Sequence, residues 1–362
     1  MGVTAARRTP ADTYARGMTE WPFASPIKPM KAKVRVTPPQ GDRWVYEPKW
    51  DGFRAVAWGG AEPELESRNG KPLLRYFPEL LPALEQLPAG TVVDGEVVVV
   101  VDDVTQFDQL QLRIHPAASR IEMLSGEIPA ELVAFDLLAV GGEDLRAVPW
   151  SERRQRLEEL VAGLEFPWHL TPVTRDFAEA ERWFTEYEGA GCDGIICKLD
   201  DGANVEDKRS WIKWKHRRDC DCVVGGYRVH KDGDKIGSIL LGLFNDEGNF
   251  HFMGHCSGFS DHDRVELLRQ FEQIRSDESF GGDEGVRVPG AQSRWSTGKE
   301  LDWIPVTPGV VVQISYDQLE GGRFRHATRF ERWRPDKPAD ECTLDQLERP
   351  EGVGFTEVVD TP

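Results

Sequence analysis

The chain has 362 residues, of which 40% are hydrophobic and 10% aromatic, so it is long enough for two globular domains and too rich in core-forming residues to be disordered. Its formal net charge of -18 argues against a protein that coats nucleic acid indiscriminately, although a local basic groove is compatible with it. No apolar run approaches the roughly 20 residues that span a bilayer. Residues 1–22 lack the apolar core of a secretion signal. We therefore expect a cytoplasmic protein without a membrane segment, beginning with a polar leader at 1–22.

The cysteines are scattered along the chain and form no repeated CxxC pair, which favours idle thiols in a reducing compartment over disulfides. Two groups still look like metal ligands, namely Cys220 with Cys222, and His251 with His255 and Cys256. The two histidines are four residues apart in a strand-like segment and would lie about 13 Å apart. We therefore expect no zinc site.

The segment Glu47-Pro-Lys-Trp-Asp-Gly-Phe-Arg54 combines an amine, two carboxylates, a guanidinium and a turn glycine between apolar flanks. Such flanks predict a loop held between two strands. A lysine in a loop of this kind, among groups that position phosphates, is a candidate covalent nucleophile. An exposed, charged hairpin tip is the alternative that the segment alone leaves open.

Later apolar strands carry carboxylates in unfavourable surroundings. The run from Thr91 to Val101 is interrupted by Asp94 and Glu96, and two further apolar strands contain Asp136 and Asp193. A carboxylate in an apolar strand costs several kcal/mol unless it is paired, binds metal or accepts hydrogen bonds from a ligand. Glu96 is the strongest candidate, because the glycine before it allows close approach.

Two local elements separate these strands. The Asn69-Gly70 pair predicts a tight turn with Arg68 beside it, either as a solvated side chain or as a second phosphate contact. After Trp150, apolar residues at helical spacing predict a packing helix with Ser151 as its N-cap.

Positive charge is concentrated in residues 206–218 and 323–337. In the first cluster, a predicted strand places Lys213 and Lys215 on one face, and we expect its two tryptophans on the other. Two parallel ammonium groups repel each other unless an anion lies between them, and a polyphosphate would supply it. The clusters therefore indicate a defined phosphate path.

The composition changes near residue 217. Short alternating segments between 222 and 335, with one helix at about Asp261–Ile274, predict a small Greek-key barrel of the oligonucleotide-binding type. Residues 338–362 hold seven acids and one arginine, which predicts a mobile acidic tail. The expected domains are 23–217 and 218–337, between the leader and this tail.

Seven motifs resemble, in the same order, those of the covalent nucleotidyltransferases, and most nearly those of ATP-dependent DNA ligases of the minimal bacterial two-domain type. The likeness covers about residues 23–337. The motifs are Lys49-Trp-Asp-Gly-Phe-Arg54, Ser67-Arg-Asn-Gly70, Asp94-Gly-Glu96, Phe135-Asp136, Asp193-Gly-Ile-Ile-Cys-Lys198, Lys213-Trp-Lys215 and Arg329-Phe-Glu-Arg-Trp-Arg-Pro-Asp-Lys337.

The resemblance implies an α+β fold: a nucleotidyltransferase domain (ATP-grasp-like, antiparallel sheets with helices) followed by a C-terminal OB-fold β-barrel. It implies three steps, in which Lys49 takes AMP from ATP, the AMP moves to a 5′-phosphate, and the 3′-hydroxyl displaces it. ATP and Mg²⁺ (or Mn²⁺) are the implied cofactors. Nicked or broken duplex DNA is the implied substrate, repair proteins are the implied partners, and we expect a monomer.

The resemblance also implies residue roles. It places Glu47 by the adenine, Arg54 and Arg68 by sugar and phosphates, Glu96 by the ribose or a metal, Phe135 on the base, Asp193 at a divalent ion, Lys213 and Lys215 at the α-phosphate, and Arg332, Arg334 and Lys337 at the departing pyrophosphate. One position departs from the pattern, because the family usually has glutamate where this chain has Asp193. The shorter arm leaves room for a water between carboxylate and metal.

Lys49 must be neutral to attack, whereas a free lysine titrates at about 10.4. Because Lys213, Lys215, Arg54 and a nearby Mg²⁺ would favour the neutral amine, we expect a depressed pKa. Two alternative functions stay open at this point: an RNA or mixed-strand ligase of the same superfamily, and a non-catalytic nucleic-acid-binding module.

Overall fold

The computed structural model describes residues 21–277, 279–281, 285–290, 302–347 and 352–360. The chain divides into two compact units, Met1–Lys215 with Pro350–Pro362, and His216–Arg349. Residues 1–20 of the expected leader lie outside the described residues. Trp21 does not behave as part of a polar leader, because its ring packs edge-on against Trp58 at 5.0 Å. No helix in the described ranges has the length and apolar character needed to cross a bilayer.

The strands of the first unit form two sheets. They are β1 (Lys31–Val34), β2 (Trp44–Pro48), β3 (Phe53–Trp58), β4 (Glu64–Ser67), β5 (Val92–Val101), β6 (Val104–Thr105), β7 (Ala130–Val140), β8 (Glu143–Asp144), β9 (Trp168–Leu170), β10 (Gly194–Leu199) and β11 (Arg209–Lys215). The larger sheet has the order β4-β3-β5-β7-β8, with β6 on β5 and β9 on β7, and the smaller has the order β1-β11-β10-β2. The loop of residues 49–52 therefore leads from one sheet to the other.

The predicted apolar strands are present. β5 and β7 pair antiparallel at the centre of the larger sheet, where β-branched and other apolar side chains are buried on both faces. Asp94 and Asp136 lie opposite each other in this pairing, and both are fully buried. Each carboxylate is neutralised by an arginine, Arg54 for Asp94 and Arg153 for Asp136. The carboxylates in these strands are thus paired, as burial demands.

Helices cover these sheets: α1 (Leu81–Glu85), α2 (Phe107–Leu112), α3 (Ala118–Glu127), α4 (Trp150–Val161) and α5 (Phe177–Glu186). The helix predicted after Trp150 is α4, but the choice of Ser151 as its N-cap is wrong. Pro149 occupies the cap, with φ -50° and ψ 144°, so Ser151 already lies in the first turn. The extended backbone required of a cap residue is supplied by the proline.

The second unit is built on one antiparallel sheet with the order β14-β13-β12-β16-β19 and β15 on β12. Its elements are β12 (Arg218–Val229), β13 (Ile236–Phe244), β14 (Phe250–Cys256), α6 (Asp261–Glu272), β15 (Ile304–Pro305), β16 (Val311–Tyr316), β17 (Leu319–Glu320), β18 (Arg323–Phe324) and β19 (Arg329–Trp333). The predicted helix is α6, which Ser260 caps by accepting the Asp263 N–H. The strand alternation buries a core that includes four of the cysteines as free thiols.

The described part of residues 338–362 does not form the mobile tail expected from its charge. Short 3-10 turns span Ala339–Glu341 and Leu344–Leu347, and the intervening Cys342 is buried in the second unit. Helix α7 (Phe355–Val359) buries Phe355 and Val358 in the core of the first unit. The expectation is wrong because the acidic composition concealed apolar residues spaced for one face of a helix.

Replacement of Arg153 by methionine is expected to destabilise the protein by roughly 3–5 kcal/mol, because it leaves the buried Asp136 carboxylate without its main cation. The two side chains are 0% and 1% exposed. Arg43→Ala is the control, since the Arg43–Asp201 pair is largely exposed and should contribute less than about 1 kcal/mol. Urea denaturation measures both variants, and equal losses of stability would contradict the account.

Candidate active site

The loop of residues 49–52 is fixed at its start by backbone hydrogen bonds. The Lys49 N–H donates to the Gly194 carbonyl at 2.8 Å, and the Asp193 N–H donates to the Lys49 carbonyl at 2.7 Å. Gly194 has a φ of +129°, and a Cβ there would lie 2.1 Å from the Trp214 carbonyl oxygen. A Cβ on Gly52 would lie 2.3 Å from the Val97 carbonyl oxygen. Close approach therefore requires glycine at both positions.

Three charged side chains converge at this loop. One carboxylate oxygen of Asp193, Oδ2, lies 2.7 Å from Lys49 Nζ and 3.1 Å from Lys215 Nζ. Burial would raise the Asp193 pKa, but the two ammonium groups outweigh burial and lower it. The carboxylate therefore stays ionised between two cations. The structure thus brings together three residues that the sequence singled out, from the loop, the residue before β10 and the end of β11.

The pKa of Lys49 is raised above its usual value, so the expectation of a depressed pKa is wrong for this arrangement. Burial acts to lower it, but the carboxylates of Asp193, Asp51 and Glu96 together outweigh burial. The expectation counted the neighbouring cations and did not place these carboxylates beside the amine. Lys49 is accordingly held as an ammonium ion, which must release a proton before it can act as a nucleophile.

Glu96 lies on β5 opposite Arg54 of β3. Burial raises the pKa of its carboxyl group to about 8, although Lys49 and Arg54 act in the opposite direction. A carboxyl group with this pKa carries its proton at neutral pH unless more positive charge arrives. It is therefore suited to bind a cation or to exchange a hydrogen bond with a ligand hydroxyl.

Glu47, on β2 of the smaller sheet, supplies a buried hydrogen-bond acceptor near the rings of Phe135 and Trp211. Glu47 Oε2 pairs with Lys198 Nζ at 2.7 Å, and the two side chains are 3% and 1% exposed. Lys198 also donates to the Phe135 carbonyl, and its ammonium lies 4.5 Å from the ring centre of Trp211. The second oxygen, Glu47 Oε1, is buried with no hydrogen-bond partner among the described residues. This oxygen can accept a hydrogen bond from a ligand.

Arg54 is engaged by protein groups within the larger sheet. Its guanidinium contacts Asp94 at 2.5 Å, donates to the Met30 carbonyl at 2.6 Å and lies 4.8 Å from the ring centre of Trp211. Arg68 is exposed on the turn after β4, and its backbone N–H donates to the Arg54 carbonyl at 3.2 Å. The two arginines thus differ in how freely they could reach a ligand.

The side-chain directions on β11 differ from the expectation for the tryptophans. Trp211, Lys213 and Lys215 are each two residues apart, so their side chains point to the same face of the strand. Of the two tryptophans, only Trp214 points the other way, and its ring stacks on that of Phe184 with centres 3.9 Å apart. The expectation that both tryptophans oppose the lysines is therefore wrong for Trp211.

The three basic residues assigned to pyrophosphate lie in the second unit. Arg334 contacts Asp221 at 2.8 Å, and Arg332 donates to the Gln313 side chain at 2.7 Å. Lys337 follows them after the end of β19 and also has an acidic partner within the unit. The structure gives each of these side chains a polar neighbour in its own unit.

Two residues of the site were missed by sequence reasoning, Lys198 and Trp211. Lys198 closes an apolar strand as a single base, and its pairing with Glu47 depends on the register of β2 against β10. Trp211 stands two residues before Lys213, so the period of a strand would have placed it on the same face as the lysines. The position of Trp211 could therefore have been predicted from the sequence, whereas the pairing of Lys198 with Glu47 could be recognised only once the strand pairing was known.

The raised pKa of Glu96 predicts a pH-dependent stability. Between pH 4.5 and about pH 8, the Glu96 carboxyl group keeps a proton in the folded protein that it releases in the unfolded chain. The free energy of unfolding therefore falls as the pH rises through this interval. Glu96→Gln cannot titrate, and its stability relative to wild type should increase over this interval by up to about 1.4 kcal/mol per pH unit. Urea denaturation at stepped pH tests this, with the exposed Glu62→Gln as control. A difference between Glu96→Gln and wild type that does not change with pH would contradict the assignment.

Comparison with known proteins identifies the family. Residues 23–215 match the model of the ATP dependent DNA ligase domain, and residues 232–337 match that of the ATP dependent DNA ligase C terminal region. The chain is 45% identical to DNA ligase C2 of Mycolicibacterium smegmatis, over 91% of this chain and 96% of that protein. It is 44% identical to DNA ligase C of Mycobacterium tuberculosis, over 93% and 98%.

Among solved structures, a Lig E DNA ligase with 15% identity superposes with a TM-score of 0.54 and covers 86% of this chain and 100% of that one. This likeness concerns the fold alone, and it agrees with an α+β nucleotidyltransferase core followed by an OB-like unit. The matches to both family models, together with the high identity across nearly the whole chain, decide the activity. The chain belongs to the ATP-dependent DNA ligase family and is a DNA ligase that uses ATP.

Proposed function

We propose that Lys49 is the covalent nucleophile of this ligase. Its amine would release one proton and form a bond to the α-phosphorus of ATP, while pyrophosphate leaves with the electrons of the broken bond. The AMP then moves to the 5′-phosphate of a broken strand, and the 3′-hydroxyl displaces AMP to form the phosphodiester bond. The observation that carries the proposal is the contact of Lys49 and Lys215 with one oxygen of Asp193.

The cations around Lys49 support a phosphate site. Lys215 is 14% exposed on its side chain and lies on the same strand face as Lys213, so both can turn toward an anion. We infer that phosphate oxygens compete with Asp193 for Lys215. Because an anion beside Lys49 stabilises its ammonium form, we assign loss of the proton to a divalent cation at Asp193, whose positive charge would offset the attraction of that carboxylate and favour the neutral amine required for attack. Arg54 and Arg68 are assigned to the sugar and remaining phosphates.

The adenine is proposed to lie by Glu47 and Phe135. The unpartnered oxygen Glu47 Oε1 is an acceptor, and the exocyclic amino group of adenine is a donor. Guanine carries a carbonyl oxygen at the same position, so the acceptor would repel it. Phe135 and Trp211 supply aromatic surface beside this acceptor, with ring centres 6.0 Å apart. These features support the use of ATP in preference to GTP.

Asp193 and Glu96 are the residues proposed to hold Mg²⁺ or Mn²⁺. Carboxylate oxygens are the ligands these ions prefer, and both groups act on the charge of Lys49. The high pKa of Glu96 also fits a carboxyl group that ionises when a cation arrives. When bound, the ion would neutralise charge on the phosphate oxygens.

The second unit, proposed to be an OB-fold, is assigned to nucleic acid and pyrophosphate. Its basic residues Arg332, Arg334 and Lys337 have the charge required for phosphate contacts. We propose that the enzyme acts as a monomer on nicked or broken duplex DNA. We also propose a place in DNA repair, where other enzymes generate the 5′-phosphate and 3′-hydroxyl ends that a ligase joins.

Substitution of Lys49 by alanine is expected to abolish covalent labelling by ATP that is radioactive at the α-phosphate, because no other group would replace the attacking amine. The labelled protein is denatured before counting, so that only covalent adenylate is scored. Lys231→Ala removes an exposed lysine of the second unit and serves as the control, with labelling unchanged. The Lys49→Ala protein should still join nicks that already carry AMP on the 5′-phosphate. Equal labelling of wild type and Lys49→Ala would refute the proposal.

A further inference from the structure

Residues 352–360 dock on the first unit in a defined way, although the established activity assigns them no role. The Phe355 N–H donates to the Asp103 carbonyl at 2.6 Å. The backbone N–H and the hydroxyl of Thr356 both donate to Asp103 Oδ1, at 2.8 and 2.7 Å. Asp103 lies in the tight turn between β5 and β6, where its φ of +61° is the ordinary geometry of a two-residue hairpin turn. Three hydrogen bonds from residues 355 and 356 thus converge on this one turn residue.

Close backbone approach also shows that this docking is specific. A Cβ on Gly354 would lie 1.7 Å from Asp103 Oδ2, and a Cβ on Gly352 would lie 2.2 Å from the Glu186 carbonyl oxygen. Glycine therefore fits at both positions because the backbone lies directly against the first unit. We call residues 352–360 the clasp.

The clasp reaches the residue that follows the nucleophile. The Phe355 side chain is buried, and its ring lies edge-on to that of Trp50, with centres 5.4 Å apart. The indole N–H of Trp50 also donates a hydrogen bond to Thr171 Oγ1 at 3.0 Å. The Trp50 ring is thus fixed by the clasp and by Thr171 together. Because Trp50 is covalently bonded to Lys49, the position of Trp50 influences the direction in which the Lys49 side chain projects from the loop.

We propose that the clasp positions Lys49 for the transfer of AMP from ATP, with Phe355 as a positioning residue that acts through Trp50. This inference rests on the proposed role of Lys49 as the nucleophile. Without the Phe355 ring, Trp50 gains space to shift, and the Lys49 amine moves with it. A displacement of about 1 Å at a reacting atom can cost a hundredfold in rate, so a shift in the loop matters even though Phe355 touches no substrate.

The test measures single-turnover adenylation of the full chain at several ATP concentrations, at a temperature well below the unfolding transition of every variant. Phe355→Ala is expected to lower the rate constant at saturating ATP about tenfold, with the half-saturating ATP concentration changed less than about twofold. Phe355→Leu, which refills most of the space, should recover to within about threefold of wild type. Thermal unfolding is recorded for each variant.

Val358→Ala is the matched control, because it removes buried methyl groups from the same helix and leaves the ring beside Trp50 in place. It should lower the unfolding temperature without slowing adenylation by more than about twofold. Adenylation by Phe355→Ala at the wild-type rate, or equal slowing by both variants, would overturn the inference. Lys49→Ala is run in parallel. Labelling of that variant would refute the role of Lys49 itself. If Lys49→Ala is not labelled and Phe355→Ala reacts at the wild-type rate, only the role of the clasp is refuted.

Discussion

The shared contact of Lys49 and Lys215 with Asp193 is the interaction on which the geometry of the candidate site depends. Lys49 lies on the loop that leads from the smaller sheet to the larger one, and Asp193 immediately precedes β10. The carboxylate is 4% exposed, so it would be costly without both cations. The contact of Asp193 with Lys49 therefore fixes the loop between the sheets. The contact with Lys215 places a second ammonium group beside the same carboxylate.

The same arrangement explains the protonation of the site. Surrounding carboxylates raise the pKa of Lys49, and burial raises the pKa of Glu96 to about 8. Both groups therefore hold protons near neutral pH. Phosphoryl transfer requires mainly positioning and neutralisation of charge from the protein, and the proposed role of Lys49 requires this residue to lose its proton. The proposed divalent cation would favour loss of both protons, because positive charge beside Lys49 and Glu96 lowers the pKa of each group.

Local sequence signals predicted the strands and singled out Lys49, Asp193 and Lys215, which the structure brings together. They did so because β-branched runs and embedded charged groups report directly on burial. They failed where tertiary contacts decide. The clasp helix spans only five residues and depends on packing against Trp50 and Asp103, so its acidic composition misled the prediction. The direction of the Lys49 pKa depended on distances to carboxylates from separate strands. The pairing of Lys198 with Glu47 likewise depended on the register of β10 against β2, which local sequence signals do not reveal.

The central claim is that the Lys49 amine, and no other amine around the phosphate site, becomes bonded to AMP. The most direct measurement is mass spectrometry of peptides from protein incubated with ATP and Mg²⁺, digested under conditions that preserve a phosphorus–nitrogen bond. The account predicts the mass of one AMP group on the peptide at Lys49, with Lys198, Lys213 and Lys215 unmodified. An adenylate on one of those three lysines, with Lys49 unmodified, would contradict it.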